Sequence, residues 1–170
     1  LYTCTYKQIA HRAEREVQQM YEEARSNVNP VVIGIDHGFS LMKTGAGIIF
    51  SNGIVRTEGR PPELKGSLYY DVSYYSIGGS RMTVNEDKTA NDNYFILTLA
   101  AIAKELNARM LGRTATVVLG VGVPFKRFGA EHIKLQQYLK RPGRICFSFE
   151  GEEYSICIKD VLCYPQCFAA

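Results

Sequence analysis

What the chain lacks narrows the field before anything it contains. No apolar run approaches the roughly 20 residues of a membrane-spanning helix; even Phe95 to Ala103 falls far short. There is no excess of one charge: 20 Lys and Arg stand against 17 Asp and Glu, a formal net charge of +3. That is too mild for the basic stripe used in direct nucleic-acid binding. Disulfide spacing is absent as well. The five cysteines, Cys4, Cys146, Cys157, Cys163 and Cys167, are odd in number and follow no framework. The polar, charged N-terminus has no apolar stretch of a secretory signal. The cysteines therefore read as small buried residues in a reduced cytoplasm. Cys163 and Cys167 make at most half a zinc site, with no second pair and no histidine at ligand spacing. Repeats and low-complexity tracts are missing too.

What remains is an ordinary globular composition. The 170 residues are 46% hydrophobic and 22% charged, which excludes global disorder and suits one domain with a sizeable core. Residues 8–27 are polar, with Ile9, Ala13, Val17, Met20 and Ala24 at helical spacing, and Asn27 to Pro30 breaks the pattern. Residues 1–30 thus read as an appended polar helix with no assigned chemistry.

Beyond it, the pattern predicts a buried strand over Val31 to Ile35 running into a turn at Asp36-His37-Gly38, then a strand over Ala46 to Phe50. Leu68 to Ile77 suits a strand pair folded over Asp71 to Ser73. A deeply buried helix is expected over Tyr94 to Leu106, capped by Asn91 or Asp92 and ended by Gly112. Thr114 to Val123 reads as a central strand and Glu131 to Lys140 as a shorter helix stopped by Pro142-Gly143. Alternation of Ile145, Phe147 and Phe149 with Tyr154, Ile156 and Ile158 around Glu150-Gly151 predicts a hairpin, with Cys146 opposite Ser155. Its second strand runs on to Tyr164-Pro165-Gln166. The order describes an α/β domain with a mixed sheet.

The sharpest chemical feature is Ile33-Gly34-Ile35-Asp36-His37-Gly38-Phe39-Ser40-Leu41-Met42-Lys43. A buried strand delivers the Asp36 carboxylate to a sheet edge of the kind where open α/β folds bind ligands. Gly38 permits a tight turn and close backbone approach to phosphate oxygens. Asp36 suits Mg²⁺, held through water, since a carboxylate repels phosphate. Ser40 adds a hydroxyl and Lys43 a compact charge. Asp and Gly also serve a plain hairpin turn, and that reading stays open beside the first. Gly120-Val121-Gly122 lacks the third glycine and downstream acid of a dinucleotide fingerprint and reads as close strand contact.

The Asp36 to Lys43 segment resembles the first phosphate motif of actin-like ATPases, specifically the ParM/StbA plasmid-segregation (plasmid partition) type. Asp87 to Tyr94 leading into Leu97 to Leu106 resembles the first long helix of bacterial members. Gly122-Val123-Pro124 with Phe128-Gly129, the Phe147 to Ile158 hairpin and Tyr164-Pro165-Gln166 fit the same pattern. The resemblance covers residues 31–170 and implies a ribonuclease H-like mixed sheet flanked by helices, the N-terminal lobe of the actin-like fold with the second lobe absent. It implies ATP and Mg²⁺ as cofactors: Asp36 positioning the metal, Gly38 and Ser40 contacting phosphate, Lys43 as the phosphate-binding lysine. It also implies that Gln166 orients the attacking water, a task suited to a neutral amide; without the resemblance, Gln166 reads as a helix-start residue. His37 and Phe39 depart from the small polar residues of such loops.

The implied protein is a cytoplasmic, cytoskeletal ATPase that assembles with itself into filaments and reaches plasmid DNA through an adaptor protein. Alternatives are a small-metabolite or sugar kinase of the same superfamily and a non-enzymatic interaction domain. The start at Leu1 and the stop at Phe168-Ala169-Ala170 are expected of a fragment cut before the next helix, with weak or no ATPase activity of its own.

Overall fold

The computed structural model describes residues 29–82 and 87–166. The helix expected over 8–27, Cys4 and Cys167 lie outside the described residues. The element order is β1 (Val31–His37), β2 (Leu41–Thr44), β3 (Ile49–Ser51), β4 (Ile54–Thr57), β5 (Ser67–Tyr70), β6 (Ser73–Ile77), α1 (Asn93–Ala108), β7 (Thr114–Val123), a 3-10 turn (Phe125–Arg127), α2 (Phe128–Leu139), β8 (Ile145–Phe149) and β9 (Glu152–Pro165).

The nine described strands form one mixed sheet in the order β3-β2-β1-β7-β9-β8-β5-β6-β4. β7 lies parallel between β1 and β9, and the remaining pairings are antiparallel. Parallel neighbours need long crossovers, and α1 and α2 stand in the two that join β1 to β7 and β7 to β9. The inward residues of the parallel strands, Ile33, Ile35, Val117, Leu119, Val121, Ile156, Ile158 and Val161, are buried in one core with α1.

β3 and β4 are the two outermost strands of the sheet, yet only Asn52 and Gly53 separate them. A residue spans at most about 3.6 Å, so the sheet curls until its opposite edges nearly meet. The junction is tight. The Gly78 amide donates to the Gly53 carbonyl at 2.9 Å, and the Ser51 hydroxyl to the Gly79 carbonyl at 2.9 Å. A Cβ on Gly53 would lie 2.5 Å from the Gly79 carbonyl oxygen. α1 fills the concave side, which is why every residue from Tyr94 to Ala103 is buried. Burial of Phe95, Ile96, Leu97, Leu99, Ile102 and Leu106 contributes about 1.5–3 kcal/mol each. α2 lies on the same side, with Gln136 donating to the Val161 carbonyl at 2.7 Å and Tyr138 meeting Phe95 edge to face.

Several expectations hold in detail. β7 has the expected bounds, and β5–β6 turns through Asp71 and Val72, both at positive φ. The β8–β9 hairpin places Cys146 opposite Ser155 and turns at Glu150 and Gly151, also at positive φ.

Others are corrected. β1 runs two residues past the expected Ile35, to His37, and the hairpin reading left open for this segment holds, with Asp36 opposite Lys43 on β2. The strand expected over Ala46 to Phe50 is shorter and shifted, because the β2–β3 turn runs on to Ile48, with the Gly47 amide donating to the Thr44 carbonyl at 3.0 Å and the Thr44 amide to the Ile48 carbonyl at 2.9 Å. β4 was not anticipated. α1 ends at Ala108, ahead of Gly112: Met110, at φ 52°, donates to the Asn107 carbonyl at 3.0 Å, and Leu111 to Leu106 at 2.8 Å. That is a Schellman closure with methionine where glycine is usual. α2 starts three residues before the expected Glu131, directly on the 3-10 turn.

Candidate functional site

The carboxyl ends of β1, β7 and β9 converge on one edge of the sheet. Successive strand residues face opposite sides, so Asp36 and His37 diverge there. Asp36 opens onto a cleft of about 480 Å³, lined with His37, Gly38, Phe39, Lys88, Gly122 and Gln166. His37 sends its ring into the core, fully buried, where Nε2 lies 2.8 Å from the Thr98 hydroxyl. Burial, with the nearby Lys88 charge adding to it, pushes the His37 imidazole down to about 3. This ring is a neutral group of the core.

Asp36 and Gln166 are 130 positions apart in sequence, and Gln166 Nε2 donates to Asp36 Oδ1 at 2.9 Å. Gly122 makes this possible. A Cβ there would come within 3.0 Å of Gln166 Cγ, so the glutamine side chain lies across the strand in the space the glycine leaves. The Gln166 amide also donates to the Val123 carbonyl at 2.7 Å, extending the β7–β9 ladder. Gly122 thus serves close contact, as expected, whereas a Cβ on Gly120 would come no nearer than 3.9 Å to its neighbours.

Lys43 Nζ stands 3.8 Å from Asp36 Oδ2, with both side chains about half exposed. Such a pair adds little stability, so Lys43 can turn from Asp36 at little cost to the fold, while Asp36 keeps its bond from Gln166. Gly38 allows the hairpin to close: its amide donates to the Leu41 carbonyl at 3.1 Å, and a Cβ would sit 2.5 Å from that oxygen. That amide is spent inside the turn. Ser40 lies outside the cleft lining; its hydroxyl accepts from Arg81 at 3.2 Å and its carbonyl from the Asn52 amide at 3.1 Å.

Two residues escaped sequence reading. Asn52, buried, donates its side-chain amide to the Phe39 carbonyl at 3.0 Å, tying the hairpin tip to the junction of the sheet edges. Lys88, 8% exposed, reaches into the cleft wall with Nζ donating to the His37 carbonyl at 2.5 Å. Its only sequence signal was its place in the block before α1. Lys126 and Arg127 stand away from the cleft lining, and Arg127 pairs with Glu131 at 3.3 Å.

Among the described residues no three His, Cys, Asp or Glu side chains cluster to cage a metal. A lone half-exposed carboxylate beside an open cleft fits Mg²⁺, which keeps most of its waters and is shared with phosphates.

Asp36 and Gln166 thus meet at the carboxyl edge of the parallel core of an α/β protein, the edge at which open α/β folds take up ligands. A family model described as the actin-like proteins N-terminal domain matches residues 34–168, and the chain belongs to that family. Its fold is similar to that of apo pSK41 ParM, with a TM-score of 0.65 and 16% identity over 81% of this chain and 50% of that one. Ta0583, an archaeal actin homolog, gives 0.63 and 24% over 80% and 46%. The AlfA filament bound to AMPPNP gives 0.62 and 11% over 82% and 55%. The chain spans about half the length of these proteins. No curated protein matches it in sequence.

Proposed function

We propose that residues 31–170 are the N-terminal lobe of an actin-like ATPase that binds Mg-ATP and assembles with copies of itself into filaments serving plasmid DNA segregation. DNA is reached through an adaptor protein. The observation that carries the reading is the Asp36–Gln166 contact at 2.9 Å, made at the shared carboxyl edge of β1 and β9 beside an open cleft. Solved structures of similar fold include the AlfA filament with AMPPNP, an Alp12 filament and Ta0583 in complex with ADP.

In this reading Asp36 would hold the metal through water and the phosphates would lie along the hairpin tip at Gly38, with the Ser40 hydroxyl leaving Arg81 to reach them. Lys43 leaves Asp36 to pair with phosphate oxygens. Gln166 turns its carbonyl oxygen to a water and its amide to the terminal phosphate, aligning attack without acting as a strong base. The metal, when bound, neutralises charge shared between the phosphate oxygens. One lobe supplies only half of such a clamp, so the isolated 170 residues bind nucleotide weakly.

The test is light scattering by the full-length protein. Scattering is expected to rise with Mg-ATP and to stay at baseline in Asp36→Ala. An equal rise without nucleotide refutes the reading.

A further inference from the structure

Lys88 has no ion-pair partner among the described residues for its buried charge. Lysine is almost never this buried unless paired. Among the described residues no carboxylate lies within ion-pairing distance of its ammonium; it has the His37 carbonyl and the faces of Phe39 and Tyr94, at 5.6 and 5.7 Å. Burial lowers its pKa, opposed by the field of Asp36. The arm is held on both sides. The neighbouring Asp87 carboxylate accepts from the Thr89 amide at 2.9 Å, the Thr89 hydroxyl at 2.7 Å and Lys134 of α2 at 2.7 Å. A desolvated ammonium on a fixed backbone, sharing one cleft with Asp36 and Gln166, is preorganised for an anion.

We propose that Lys88 is a second phosphate-binding cation of the cleft, meeting the terminal phosphate of the nucleotide from the core side while Lys43 meets the phosphates from β2. The inference rests on the reading of the cleft as a Mg-nucleotide site, and it adds a residue that discriminates triphosphate from diphosphate. Asp36 and Gln166 mark the end of the cleft where metal and attacking water belong, so a cation in their company faces the group that is transferred.

Calorimetry on the full-length protein with Mg-AMPPNP and Mg-ADP tests it, using Lys88→Met, which keeps the aromatic contacts, and Lys88→Arg, which keeps the charge. Lys88→Met is expected to weaken AMPPNP about tenfold or more and ADP less than about threefold, with Lys88→Arg recovering most of the loss. Equal weakening of both nucleotides, or of neither, overturns the inference while leaving the cleft's role intact. A fall in Tm with parallel loss of both nucleotides shows that the ammonium merely fastens β1, and overturns it too. Failure of the wild type to bind either nucleotide refutes the reading of the cleft itself, and the inference with it.

Discussion

His37 shows how one side chain ties pH to the fold. The Thr98 hydroxyl has a single proton, and it goes to the Tyr94 carbonyl at 2.7 Å. The 2.8 Å contact with His37 must then be Nε2–H donated to the Thr98 oxygen, which leaves Nδ1 as an unprotonated acceptor without a partner among the described residues. The unfolded chain takes up a proton on this histidine near its ordinary value of 6.5, whereas the folded chain resists until about 3. Stability is therefore full above pH 6.5 and falls as pH drops through that window, by on the order of 4–5 kcal/mol at most. Urea midpoints measured from pH 7 to pH 4 should fall less steeply in His37→Gln than in the wild type; parallel curves would remove His37 as the cause. Part of this was legible. Extending β1 by two residues makes Asp36 and His37 face opposite ways, so the imidazole turns into the core against Thr98. Lys88 was not legible, because a lysine in a polar stretch looks solvated and its burial depends on residues far away in sequence.

At the scale of elements, α1 begins by an unexpected device. Asp92 occupies the capping position but makes no capping bond; its carboxylate goes to Arg141 at 2.5 Å. The Phe95 amide in the first turn instead donates to the Tyr138 hydroxyl of α2 at 2.8 Å, and that hydroxyl donates on to the Asn91 carbonyl at 2.8 Å. Burial raises the Tyr138 phenol well above its ordinary value, so it stays a neutral donor at any working pH. Tyr138→Phe keeps the ring on Phe95 but strands a helix amide, and should cost about 1–3 kcal/mol in urea unfolding; a loss below about 0.5 kcal/mol would mean water replaces the hydroxyl. Hairpins with their turn residues in the chain were readable, since register follows from alternation and the turn. β2 and β4 were not: each is four residues long and takes its pairing from the sheet. Of the two capping candidates Asn91 holds, its Oδ1 accepting from the Asn93 amide at 3.0 Å, while Asp92 is drawn away by Arg141.

Across the whole molecule, closure of the curl rests on Gly53. Any side chain there drives into the backbone at Gly79 and Ser80, which is not the movable end of a side chain. Gly53→Ala should lower Tm by several degrees, consistent with a loss of about 1–3 kcal/mol by overpacking, and should speed hydrogen exchange at β3 and β4 ahead of β7; uniform exchange across the sheet would contradict a local opening. The mixed-sheet class was visible from the order of strands and helices, but curling was not, because nothing local announces that two consecutive short strands end up at opposite edges.

The near-meeting of β3 and β4 also bears on how copies of the chain can touch. An open sheet offers unpaired backbone groups that recruit a strand from a neighbour. Here the edge strands are only three and four residues long and turn toward their own junction. The described sheet therefore offers little free edge at which a neighbouring chain could add a strand of its own.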